Sequence, residues 1–393
     1  LMEEVLKIQS DDIKEFLLQT SILEQMSAPL CNAVLNRNNS QLILESLEKN
    51  NMFVIPLDDE RNWYRYHQLF ADLLKQRLHL REKATITNLH NKASEWFNIN
   101  SMPLFSIEHA IKTENFEKSI QFLGEIAETM WKNGEHAAVM KYGDLIPDEI
   151  IKKNVEFCLY YAWILIIAGQ NQKAEPFLVS AEIIAMKIIN GKDSSKEVVQ
   201  YNKKLLGIIS VVFAYLYSKT VNPEKTFSYW KAAMKNLQED DPLWYSWGWY
   251  SVGIAESFSE HFNDSKGALE KALEYAKKSG NIYLISTIAF NLAYIEERMG
   301  LYTSAYNKCS DLITFMKESG YSQITKSEPT YVMLYACMAE IECMRTDFEK
   351  ALPNIKIACS LSENFSNNSY KVFVRLIYSL ISFGRADNSM IVK

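Results

Sequence analysis

WYRYHQLFADLL, residues 63–74, changes its period partway along. Trp63 to Tyr66, with Phe53-Val54-Ile55 upstream and the turn-forming Asp58-Asp59-Glu60-Arg61-Asn62 between, reads as the second strand of a β-hairpin. From His67 onward, Leu69, Phe70, Leu73, Leu74 and Leu78 recur at i, i+1, i+4, i+5 and i+9, which is one face of a helix. A strand therefore feeds straight into a helix, with His67 at the junction. A small mixed domain is expected before this point and a long run of helix pairs after it.

Upstream, Asp11 to Leu23 opens with an acidic pair suited to a helix N-terminus and carries Ile13, Phe16, Leu17, Ile22 and Leu23 on a helical stripe. Pro29 starts a second helix, running to about Asn36, and Ser40 is the expected N-cap of a third with Leu42, Ile43, Leu44 and Leu47 apolar. Three helices, a hairpin and a fourth helix are the topology of a winged helix, placed at residues 1–82. Its recognition helix would be Gln41 to Asn50, where the only charges are Glu45, Glu48 and Lys49. Major-groove readers turn Arg, Lys, Asn or Gln toward base edges, whereas acidic residues there would face phosphates. No direct DNA contact by this domain is expected.

Composition agrees. Residues 1–82 hold 9 Lys/Arg against 13 Asp/Glu and the remainder 33 against 35, within a net charge of −6, so neither part has the basic excess that phosphate-backbone binding needs. At 393 residues the chain is too large for one ordinary core. The six cysteines include no CxxC pair and none lies near a His at metal-ligand spacing, so reduced, mostly buried thiols in a cytoplasmic protein are expected. The longest apolar run, Phe157 to Ala168, has 12 residues, short of the roughly 18 that a spanning helix requires. No membrane contact is expected. The first residue is Leu, which suggests a chain cut from something longer.

From Lys83 to the end the pattern is helical, and a short phrase recurs at helix starts: Asn115 to Ser119, Gln170 to Ala174, Asn222 to Thr226, His261 to Ser265, Leu301 to Ala305 and Asp347 to Ala351. The closing residues at 226, 265, 305 and 351 are small and stand 39, 40 and 46 apart, which fits one helix pair per repeat, slightly longer than a tetratricopeptide repeat (TPR). A Ser, Thr or Ala lets two antiparallel helices approach, and the aromatics Phe116, Phe262, Tyr302 and Phe348 can plug each pair's open end. The expected fold is mainly α: a winged helix followed, at 83–393, by a TPR-like superhelix that is C-terminally truncated. Its last pair, near Tyr370 to Phe383, has no following cap and should expose an apolar end.

Several phrases together resemble a known family. The segments FLLQTSILEQMSAPLCNAVL (16–35), FVIPLDDERNWYRYHQLFADLLKQRL (53–78), LHNKASEWF (89–97), SIEHAIKTENFEKS (106–119), WKNGEHAAVMKYGDLIP (131–147) and LYYAWILIIAGQNQKAE (159–175) are similar to large ATP-dependent regulators of the LuxR type, the MalT-like group of STAND proteins. The similarity extends more weakly to about Phe383. The resemblance implies a nucleotide-binding NTPase domain, a winged helix, a superhelical sensor and a helix-turn-helix (HTH), of which only the middle two are matched. No GxxxxGK[ST] phosphate loop is present, so ATP or ADP is implied for the full-length family member and no cofactor for this segment.

The resemblance also singles out His67. In related switch NTPases a winged-helix histidine at a helix start contacts the phosphates of bound ADP, which implies this role for His67, and a helix N-terminus suits an anion. An interfacial structural histidine explains the same residue. Leu243-Trp-Tyr-Ser-Trp-Gly-Trp-Tyr250 holds five aromatics, with Trp247 and Tyr250 on one helical stripe and Trp244 on another. Two aromatic faces exceed one packed seam, so Trp244, Trp247 and Tyr250 are candidates to stack on a ligand; packing between repeats is the plainer reading. His90 and His109 read as packing residues, and Glu135-His136 is no HExxH. The pairs Asp58-Asp59, Glu239-Asp240-Asp241 and Glu296-Glu297 read as turns or solvated faces. No catalytic or metal site is expected, and no enzyme activity.

The function these residues imply is that of an effector-sensing, signal-transmitting region. Its partners would be the NTPase domain of the same protein and a small inducer or protein on the superhelix, with self-association possible. The alternative is a TPR-type protein-binding scaffold without a small ligand. An enclosed aromatic pocket would favour the first reading, and an open polar groove the second.

Overall fold

In the computed structural model, the Ser10 side chain accepts the Ile13 N–H and starts α1 (Asp11–Thr20), with Asp11 and Asp12 in its first turn. The description covers residues 6, 8–192, 194–219, 223–238, 241–318, 329–363 and 368–385. The expected stripe runs past the helix. Thr20 donates its hydroxyl to the Phe16 carbonyl at 2.7 Å and lies 2.6 Å from Tyr66 Oη, α1 ends there, and Ile22 and Leu23 are buried from the turn that follows. Ser27 caps α2 (Ala28–Leu35), Pro29 sits in its first turn, and Asn36 in the left-handed conformation closes it. α3 (Ser40–Lys49) begins one residue earlier than expected: Asn39 holds the cap position, while Ser40 is helical and buried.

The hairpin pairs β1 (Val54–Pro56) with β2 (Tyr64–Tyr66), Val54 facing Tyr66 and Pro56 facing Tyr64. A further rung was not legible. Met26 and Tyr64 exchange two backbone hydrogen bonds of 2.8 Å, and a single bridging residue has no period to read. α4 (Gln68–Leu78) follows directly. Phe70, Leu74 and Leu78 turn inward from it, whereas Leu69, expected on that face, is 64% exposed.

These elements close over one core that includes Phe16, Leu30, Val34, Leu44, Tyr64 and Phe70. Leu89, Ala93 and Phe97 of α5 (Lys83–Ile99) belong to the same core. Burying a side chain such as Phe97 stabilises by about 2–3 kcal/mol, so the helix beyond residue 82 is a structural part of the winged helix rather than a linker. By contacts the chain forms two compact units, Leu1–Ile184 and Ala185–Lys393.

In the first unit α6 (Pro103–Lys112), α7 (Phe116–Lys132), α8 (His136–Leu145), the single turn α9 (Asp148–Ile151) and α10 (Val155–Ile167) continue the helical run, and α11 (Asn171–Ile189) begins there, with residues 185–189 belonging to the second. The second holds α12 (Lys196–Ser218), α13 (Pro223–Met234), α14 (Pro242–Phe258), α15 (Phe262–Ser279), α16 (Ile282–Arg298), α17 (Tyr302–Glu318), α18 (Pro329–Met344), α19 (Phe348–Ser362) and α20 (Asn368–Gly384). Each recurring phrase does start a helix, and Ser119, Ala174, Thr226, Ser265, Ala305 and Ala351 are all completely buried. In five of the six, a second small residue stands 12 positions earlier: Ala162, Ala214, Gly253, Ala293 and Ala339. Thr226 donates to the Ala214 carbonyl at 3.4 Å and Ser265 to the Gly253 carbonyl at 2.7 Å. Ser106 reaches the Ser94 carbonyl at 2.8 Å across the same interval, which marks α5 and α6 as a pair. α7 then opens the next pair, which is why bulky Ile107 precedes Ser119. Small residues on both helices let the backbones approach closely enough for these cross-helix bonds.

On α20, Val374, Ile377 and Ile381 are buried against α18 and α19, while Val372, Leu376, Leu380 and Phe383 are 58–74% exposed along a second stripe. The expected apolar end is present. Among the described residues no helix is long and apolar enough to cross a membrane. Asn222, Glu239 and Asp240, singled out above within longer phrases, lie outside the described residues.

Candidate functional site

The junction after β2 is fixed by main-chain contacts. The His67 N–H donates to the Phe53 carbonyl at 2.7 Å, and the His67 carbonyl accepts from Phe70 and Ala71 at 2.9 Å each. Phe53 adopts φ +55, a conformation that costs a non-glycine residue about 1–2 kcal/mol. Packing of its ring on Phe70, 5.0 Å between centroids, offsets that strain. The imidazole of His67 caps nothing and is exposed, beside the first N–H groups of α4. An anion arriving there meets the positive end of a helix and an imidazole together. Leu69 on α4 and Leu42 on α3 are also exposed, at 64% and 70%.

Trp244, Trp247 and Tyr250 are each 5% exposed. Both aromatic faces of α14 are used in packing, because helices clasp it on two sides. Tyr215 of α12 meets Trp247 edge-on at 5.3 Å and Tyr250 at 6.2 Å, and Asn291 of α16 donates to Tyr250 Oη at 3.3 Å. On the other side Trp230 of α13 and Tyr275 of α15 pack on Tyr245. Gly248 is required by this arrangement, since a methyl there would stand 2.1 Å from the Trp230 ring. A ligand stacking on these three rings has to part the helices first.

Glu296 and Glu297 differ from expectation: they are 0% and 6% exposed, on the inner side of α16. Burial works to raise Glu296, yet hydrogen bonds from Ser304, Lys308 and Lys266 hold its pKa below the ordinary value, with both ammonium groups 3.0 Å from Oε1. Burial and then the charge of Glu340 push Glu297 up to about 7, and the Cys337 thiol lies 3.4 Å from its Oε2. The lysines that neutralise Glu296 come from neighbouring helices, so sequence alone showed only two adjacent acids. Cys31, Cys158, Cys309 and Cys337 are buried and all six thiols are free, as expected. Glu256, His261 and Asp264 bring ligand-like atoms together at the α14–α15 turn, another grouping the sequence did not reveal; Glu256 already bonds His261 at 2.9 Å and two of the three are exposed.

His90 of α5 and His109 of α6 do pack inside, as expected, but as a bonded pair with Nδ1 to Nδ1 at 2.7 Å. Burial first, then neighbouring positive groups, lower them to about 4 and about 3, so both rings are neutral. One Nδ1 must then donate and the other accept, which gives the two rings opposite tautomers.

Comparison with known proteins places this geometry. The MalT winged helix domain family matches residues 2–86. The HTH-type transcriptional regulator MalT of Vibrio campbellii is 23% identical over 273 residues, 70% of this chain and 28% of that protein. The serine/threonine-protein kinase PknK of Mycobacterium tuberculosis is 26% identical over 163 residues, 42% of this chain and 15% of that protein. A crystal structure of a Signal Transduction ATPase with Numerous Domains, with a tetratricopeptide repeat sensor, from Pyrococcus horikoshii shares the fold. The TM-score is 0.61 at 15% identity, covering 97% of this chain and 55% of that one. The chain thus spans under a third of the length of these curated relatives.

Proposed function

Because this chain is MalT-like, a winged helix followed by TPR-like helix pairs, we propose that it senses and transmits a signal within a larger transcriptional regulator. In this reading an effector or partner on the helix pairs changes how the winged helix holds a nucleotide-binding domain elsewhere in the same protein. One relationship carries the proposal: Leu89, Ala93 and Phe97 of the first helix pair are built into the winged-helix core, so displacement of that pair is felt at the junction around His67. A ligand shifts the switch only by its difference in affinity between the two states.

His67 is assigned to the phosphates of ADP in the resting state, supported by its exposed imidazole at the α4 N-terminus. Trp244, Trp247 and Tyr250 are assigned to an effector that binds as the helices around α14 open. In the protein with its native flanking sequence, His67→Ala is expected to lower ADP retention and raise basal activity; retention equal to the unaltered protein removes the nucleotide role. The exposed stripe from Val372 to Phe383 favours a second reading, in which the partner on the repeats is a protein and no small effector is involved.

A further inference from the structure

A cavity of about 220 Å³ opens in the first unit, between the winged helix and α6. One wall is a continuous aromatic stack in which Phe105 lies 5.1 Å from Phe97 and Phe97 lies 5.5 Å from His109, with interplanar angles of 24° and 20°. Half-buried Trp63, next to the wing, faces the same space, and Phe105 is 37% exposed, so ring surface is open to a visitor. Two opposite charges also line the cavity, Glu24 from the α1–α2 turn and Lys112 from the end of α6. Neither makes an ion pair among the described residues. The other acid, Glu108, is already held by Lys141 at 3.0 Å. His109 is neutral and spends its Nδ1 on His90, so it contributes ring surface without charge.

We propose that this cavity binds a zwitterionic small molecule with a flat apolar body, of the α-amino acid class with an aromatic side chain. The ring enters between Trp63 and the open part of Phe105, with buried Phe97 backing that wall, the ammonium group pairs with Glu24, and the carboxylate pairs with Lys112. An uncharged ring leaves both charges unused. An aromatic acid meets Glu24 with the wrong sign, and an aromatic amine meets Lys112 with the wrong sign. The aromatic walls supply most of the attraction and the charge pair the selectivity. The site lies on the winged-helix side of the first helix pair, and its occupancy does not depend on the regulatory role proposed above.

Isothermal titration calorimetry of the 393-residue chain with L-phenylalanine, phenethylamine and 3-phenylpropionate at pH 7.5 tests this, as does the Trp63 indole N–H resonance. Phenylalanine is expected to bind and to shift that resonance, and each half-charged analogue to bind about tenfold more weakly, the worth of roughly one charge-assisted contact. Lys112→Glu, at an exposed position that folding tolerates, is expected to weaken phenylalanine about tenfold and to favour the amine over the acid; Phe105→Ala weakens all three. No heat and no resonance shift with phenylalanine up to about 10 mM overturns the proposal, since that is weaker than any functional site of this size. Equal binding of the three compounds, or binding that Lys112→Glu leaves unchanged, overturns it as well.

Discussion

Ser265 gives its hydroxyl to the Gly253 carbonyl at 2.7 Å, and both residues are buried where α15 crosses α14. Gly253 has no room for a methyl, because a Cβ would stand 2.6 Å from Leu269 Cγ. Ser265→Ala is expected to cost about 1 kcal/mol through the lost hydrogen bond. Ser265→Leu forces the helices apart and is expected to cost about 3 kcal/mol. Urea midpoints of the two variants measure the difference, and equal costs would mean that close approach is not what the small residue provides.

Glu297 gives the second unit a pH dependence. Its folded pKa of about 7 lies above the roughly 4.3 of an unfolded glutamate, so between these values the folded chain keeps a proton the unfolded chain has lost. The contribution of this group is therefore full below about pH 4 and is lost as pH rises from about 4 to 7, by up to about 3 kcal/mol. Glu297→Gln should flatten that slope and stabilise the chain at pH 8, read from thermal midpoints across pH. An unchanged slope would place the titration elsewhere.

The histidine pair acts in the other direction. As pH falls through about 6.5 the unfolded chain takes up protons that His90 and His109, at about 4 and 3, still refuse. Stability of the first unit is full above that value and declines between about pH 7 and 4, by on the order of 3 kcal/mol or more. Replacing both by Phe, which keeps the ring against Phe97, should remove most of this decline. Acid titration followed by circular dichroism tests it; persistence of the full decline would clear the pair of responsibility.

The outer stripe of α20 is an association hazard. Val372, Leu376, Leu380 and Phe383 lie on one exposed face, and apolar patches of this kind draw molecules together. Leu376→Lys with Leu380→Lys should lower concentration-dependent association in light scattering while leaving the helix content intact, since the buried stripe at Val374, Ile377 and Ile381 is untouched. Scattering that stays the same would locate the contact on another surface.

Much of this fold was legible because it rests on local period. The change at His67, the helix starts at Phe116, Phe262, Tyr302 and Phe348, and the small residues that follow them are all set by residues within one turn of each other. What escaped reading depends on neighbours distant in the chain. Met26 joins the sheet through one residue, and Leu69 faces outward because α4 rotates to bury Phe70. Glu296 and Glu297 look like any solvated pair until Lys266, Lys308 and Cys337 arrive from other helices. At the candidate sites the sequence located His67 at the strand-to-helix junction, but it could not tell that Trp247 and Tyr250 pack on Tyr215 of α12 or that Trp244 is equally buried, because five aromatics on one helix carry no information about how many neighbours it has.

The frame around His67 is held by the peptide groups of Phe53, Phe70 and Ala71 and by the Phe53 ring on Phe70, and the His67 side chain makes no capping bond to it. Position 67 is thus a place where chemistry can be exchanged without disturbing architecture. A cysteine installed there and coupled to a fluorophore would watch whatever docks against the head of α4 while the surrounding backbone stays as it is.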